Sequence, residues 1–110
     1  MNTTVKVLLA AFLAICVGVH VYGLLAPFSS ESTLSHLIHL VGYSTCLVSV
    51  LLKKNPFTLP LYLCGALYPF FYHALCAWHS YTLAQELNYI CVLVIVVLPL
   101  GAVWVAKKPK

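Results

Sequence analysis

The chain has 110 residues, 63% of them hydrophobic and 7% charged, with a net charge of +4 and a mean hydropathy of +1.00. A soluble domain this small buries too little of its surface to hide so much apolar area, whereas long apolar runs are what a membrane-spanning chain contains. The positive charge comes entirely from lysines at the ends of those runs, so it calls for no nucleic-acid partner.

Crossing roughly 30 Å of hydrocarbon takes about 20 apolar residues. Four such runs are present, at about 5–25, 33–52, 57–79 and 86–106. The prediction is an all-α membrane protein, an antiparallel four-transmembrane-helix bundle filling a single domain over 1–110. Span one has a lysine near its start, as a signal peptide does. It lacks a small-x-small cleavage site, however, and its apolar stretch outruns an h-region of about 7–15 residues, so it reads as retained.

Pro27 stops span one, because proline cannot continue a helix. Residues 28–32 are a short polar loop, and Ser32 or Thr33 caps span two. That span runs into Lys53-Lys54 and the turn signal Asn55-Pro56. Span three carries Pro60 in its first turn and Pro69 inside, and span four carries Pro99. Membrane helices tolerate such prolines where neighbours satisfy the freed carbonyls. A polar loop over 80–85 leads to span four.

Lys6, Lys53, Lys54, Lys107, Lys108 and Lys110 fall on one side of four antiparallel passes, and Glu31 and Glu86 on the other. The positive-inside rule makes the lysine side cytoplasmic, so the chain is N-in and C-in. A bacterial cytoplasmic membrane is favoured, or the endoplasmic reticulum membrane if the source is eukaryotic. In that case Lys107-Lys108-Pro109-Lys110 resembles a dilysine retrieval signal.

All five histidines gather toward the outer side. At about 1.5 Å per residue, His20, His39 and His73 each lie roughly 8–10 Å from the outer ends of their helices. His36 and His79 lie nearer the rim, where amphipathic side chains such as those of Trp78 and Tyr81 settle, and they read as interface anchors. Ionisable residues inside a span are costly and tend to face the bundle interior. Three imidazoles on three helices suggest a site for copper or zinc, with His36, His79, Cys16, Cys76 and Glu86 as further donors. Alternatively, His39 with His73, or His20 with His73, would ligate a b-type haem axially, as facing helices of a bundle do. Against both stands a plain packing role, since interhelical polar contacts in membranes are common. No HExxH, CxxC or comparable local signature marks a site.

The remaining polar residues add little chemistry. Cys16, Cys46, Cys64, Cys76 and Cys91 all lie within spans, and Cys46 and Cys64 read as small hydrophobes. Gly65-Ala66 and the Ala74/Ala77 pair mark span three as a central packing helix. Tyr22, Tyr62, Tyr81, Tyr89 and Trp104 read as interface anchors. The length and span count resemble those of the small multidrug-resistance transporters, which depend on a carboxylate in the first span. Span one here has none, so the chain departs from that family at the residue on which transport would turn.

No nucleophile–base pair can be placed by spacing, so no catalytic residue is assigned. The functional expectation is a cofactor-binding or metal-handling membrane subunit using haem b, copper or zinc. The alternative is a non-catalytic structural or assembly subunit of a larger membrane complex, its partner a larger membrane protein or a second copy. A small carrier ranks third.

Overall fold

The computed structural model describes residues 2–25, 32–84 and 88–107. Pro27, Glu31, Glu86, Lys108 and Lys110 lie outside the described residues. Four helices follow one another: α1 Asn2–Leu25, α2 Thr33–Leu51, α3 Thr58–Ala84 and α4 Tyr89–Ala106. There is no strand among the described residues. Each helix is long and apolar enough to cross a membrane.

The four helices share one packing rule. Buried or half-buried positions recur at alternating steps of three and four residues: Leu9, Leu13, Cys16, His20 and Gly23 on α1; His36, His39, Tyr43, Cys46 and Val50 on α2; Tyr62, Ala66, Pro69 and His73 on α3; Cys91, Val94, Leu98, Gly101 and Val105 on α4. Steps of three and four keep side chains on one face of a 3.6-residue helix. The opposite faces are apolar and exposed. Only 22–39% of each candidate span is buried within the chain, the reverse of what water would allow.

Consecutive helices are neighbours, α1 on α2, α2 on α3 and α3 on α4. The end of α1 meets the start of α2 at His20 and His36. The end of α2 meets the start of α3, where the Cys46 thiol donates to the Tyr62 carbonyl at 3.4 Å. The start of α3 meets the second half of α4 through the Tyr62 hydroxyl, which donates to the Leu98 carbonyl at 2.9 Å. The bundle is therefore antiparallel throughout.

Each junction turns on a glycine. At the crossing of α2 and α3, a Cβ on Gly42 would lie 2.5 Å from the Gly65 carbonyl oxygen, and one on Gly65 would lie 2.7 Å from the Gly42 carbonyl oxygen. Pro69 lacks the N–H that would normally bond the Gly65 carbonyl, four residues earlier. The Gly42 α-carbon faces that freed oxygen instead, a Cα–H···O contact of about 0.5–1 kcal/mol. This is how a proline sits inside α3 without leaving an orphaned carbonyl.

Two helix boundaries and one side-chain placement depart from expectation. Helix α3 continues through 80–84, where no glycine or proline interrupts the run, and the Thr82 hydroxyl donates to the Trp78 and His79 carbonyls at 2.9 and 3.2 Å. Helix α4 starts later than expected, at Tyr89, because the Asn88 side chain accepts from the Ile90 and Cys91 amides as N-cap. Tyr62 is no interface anchor. It is 0% exposed, and Gly101 supplies the space its hydroxyl occupies.

At the lysine end, Lys54 does more than bias orientation. Its Nζ donates to the Trp104 carbonyl at 2.9 Å and the Lys107 carbonyl at 3.1 Å, and it stands 4.2 Å above the Trp104 ring. A cation there complements the negative end of α4 and the face of the indole. Ser32, rather than Thr33, caps α2, its hydroxyl accepting from the Ser35 amide at 3.1 Å.

Candidate functional site: a histidine and tyrosine cluster

The packing stripes of α1, α2 and α3 converge on histidines at the end opposite Lys54. Gly23 of α1 has no side chain, and the His36 ring of α2 fills that space: a Cβ on Gly23 would lie 2.5 Å from His36 Cε1 and 2.8 Å from its Nε2. This places His36 Nδ1 2.9 Å from His20 Nδ1, a hydrogen bond in which one ring donates and the other accepts. His20 and His36 are 5% and 3% exposed. The sequence reading of His36 as a rim anchor is therefore corrected. His36 shares a face with His39, and that face turns inward.

His39 is the hub of the cluster and is 0% exposed. On one side it stacks on His20, with centroids 4.4 Å apart and planes 16° apart. Tyr43, one turn further along α2, extends the stack at 5.8 Å and 16°. Helix α3 closes the other side with three edge-on rings: Tyr68 at 4.9 Å, Tyr72 at 4.6 Å and His73 at 5.2 Å. Edge-to-face and offset-stacked pairs are the favourable aromatic geometries. The Tyr68 hydroxyl is in turn 2.9 Å from the Ser35 hydroxyl of α2, and the Tyr43 side chain reaches the Cys16 thiol of α1.

The structure thus brings His20, His39 and His73 together and adds His36 to them. His79 is exposed, and Cys76 is half-buried on α3 beside Cys91 of α4. Cys64, read as a small buried hydrophobe, is instead exposed, lining a groove of about 460 Å³ between α2 and α3.

The arrangement bears on which groups could be held. Imidazole binds a metal through a nitrogen lone pair lying in the ring plane. His20 and His39 lie in nearly parallel planes, so their lone pairs do not meet at one point. His39 and His73 are 5.2 Å apart and edge to face, which leaves no slot for a flat macrocycle between them. Among the described residues, no group of three or more His, Cys, Asp or Glu side chains is arranged to hold a metal ion. As packed, these residues do not fit a haem or a three-ligand metal site.

Comparison of the chain with protein-family models, with curated proteins and with solved structures finds no match.

Proposed function

We propose that the chain is a non-catalytic structural or assembly subunit of a larger membrane-protein complex, spanning the bilayer four times with both ends in the cytoplasm. The observation that carries this reading is the burial of His20, His36, His39 and Tyr43 at the centre of its polar cluster. His20, His36, His39, His73 and the three tyrosines engage one another's faces, edges and polar atoms. The exposed faces of all four helices are apolar. A carrier needs a polar route and an enzyme needs reacting groups open to substrate, whereas an assembly subunit needs a stable core and apolar flanks against which other spans can pack. Lys6, Lys53, Lys54 and Lys107 lie at the same end, which supports the orientation.

The cofactor reading keeps one supporting observation, the two nitrogens of His20 and His36 that already approach each other. Two donors fall one short of the three-ligand set of an open zinc site.

The test is purification of the tagged protein from its native membrane in a mild detergent. The expected result is a second membrane protein at fixed molar ratio, retained when His39→Phe and His73→Phe are introduced. A chain that emerges alone and monodisperse contradicts the reading. In the same membranes, a cysteine introduced at Asn55 should be labelled only after permeabilisation and one at Tyr81 from the outside, and the reverse pattern would invert the topology.

A further inference from the structure

We propose that the seam between α2 and α3 holds one acyl tail of an anionic phospholipid whose phosphate rests at Lys53. The inference rests on the membrane placement proposed above and not on the assembly role. Two hollows of about 460 and 380 Å³ lie along the seam and share Val41 and Thr45 as walls, so they make one groove. It opens at Val48 and Leu61, each three residues from the lysine end of its helix, and it closes at Leu37 and Tyr68. From Val48 to Leu37 it runs about 16 Å along α2, about half of the roughly 30 Å of hydrocarbon. That is the depth of one leaflet, and so the reach of one tail.

The walls suit a hydrocarbon. Gly42 and Gly65 lie in them and carry no side chain to fill the space, and Leu37, Val41 and Leu61 are apolar and exposed. Two of the hydroxyls in the walls are already engaged. Thr45 donates to the Val41 carbonyl at 2.7 Å, and the Tyr68 hydroxyl is 2.9 Å from that of Ser35. A compact polar ligand is oriented by a few convergent polar groups, whereas a chain of methylenes needs none.

Charge selects the headgroup. Lys53 stands just past the end of α2, where the groove opens, and it is exposed. Its neighbour Lys54 is turned instead to the end of α4, donating to the Trp104 and Lys107 carbonyls at 2.9 and 3.1 Å. Of the two, Lys53 is the one presented at the surface. An ammonium binds phosphate as a point charge, and a lysine beside a bilayer draws anionic lipid toward it. Tail and phosphate belong to one molecule, because a tail enters the hydrocarbon from the interface at which this lysine stands.

The experiment places the intact chain in phosphatidylcholine nanodiscs doped with phosphatidylglycerol that carries a diazirine on one tail. Phosphatidylcholine with the same photoreactive tail, at the same mole fraction, is the second arm, and crosslinks are mapped by peptide mass spectrometry. Crosslinks from phosphatidylglycerol are expected between Leu37 and Val48 of α2 and between Leu61 and Tyr68 of α3. There they should exceed those from phosphatidylcholine about fivefold, while the exposed Ile90 and Leu93 of α4 show no such preference. Lys53→Gln, an exposed change outside every helix, should bring the two lipids level. Crosslinks spread evenly over the exposed faces of the four helices overturn the proposal. So do equal yields from the two lipids at the seam, or a preference that survives Lys53→Gln. A dimeric chain whose seam is bare of lipid gives the groove to a second copy and overturns it too. A chain that does not enter the nanodisc overturns the membrane placement itself, whereas any of the other contrary results overturns the lipid site alone.

Discussion

Replacing Gly42 by alanine is expected to loosen the bundle more than its single added methyl suggests. The new Cβ would fall 2.5 Å from the Gly65 carbonyl oxygen and 3.2 Å from Pro69 Cγ. The first of these is backbone and the second a buried ring, so neither can step aside as a flexible side chain would. Overpacking of this kind costs about 1–3 kcal/mol, and the Cα–H···O contact that supports Pro69 is lost with it. Gly18→Ala is the control, because nothing lies within 4 Å of a Cβ there. Alanine propagates a helix better than glycine by about 1 kcal/mol in water, so Gly18→Ala should be neutral or stabilising. Thermal unfolding followed by helicity in one detergent should therefore order the proteins Gly18→Ala, unaltered chain, Gly42→Ala, from most to least stable. Equal midpoints for the two substitutions would remove Gly42 from the α2–α3 crossing.

His39→Ala is the second large effect. The ring it removes is fully enclosed and touches rings from all three helices of the cluster. Within a bilayer the helices gain little from hiding apolar surface from one another, so the lost contacts count directly. Large-to-small changes at closed sites cost about 2–5 kcal/mol, and His39→Ala belongs in that range. His39→Phe restores a flat ring of similar breadth and should recover most of the loss. A polar or ligating role predicts the opposite, since phenylalanine would then be as damaging as alanine. Midpoints of the two variants in the same detergent separate these outcomes.

Much of this architecture is legible in the residues, for physical reasons. Four apolar runs give four helices long and apolar enough to cross a membrane, the length that hydrocarbon thickness sets. The lysines among the described residues, Lys6, Lys53, Lys54 and Lys107, fall at a common end, as the alternation of charge and apolar runs predicts. What hydropathy cannot report is rotation about each helix axis, since the spans are apolar on nearly every face. Depth alone therefore sent His36 to the rim and Tyr62 to the interface. The rotational signal lies elsewhere, in the small and polar residues: His36, His39, Tyr43 and Cys46 recur at three, four and three, as do Cys16, His20 and Gly23 at four and three. A stripe of that spacing identifies the inward face more directly than any hydrophobic contrast.

The histidine layer shows the same division. Sequence position brings His20, His39 and His73 to one level, and the structure joins them there. Ring orientation is set by packing, by Gly23 under His36 and by the edges of Tyr68 and Tyr72 against His39. No residue spacing encodes it. A ligand set and an aromatic stack use the same residues at the same depth and differ only in where the ring planes point.

The central claim is that this cluster is closed packing rather than a cofactor site. Optical and elemental analysis of one sample purified from its native membrane tests it most directly. The account predicts a spectrum with aromatic absorption alone, no Soret band, and copper and zinc well below one atom per chain. A Soret band, or one metal atom per chain that disappears in His39→Phe, would contradict it.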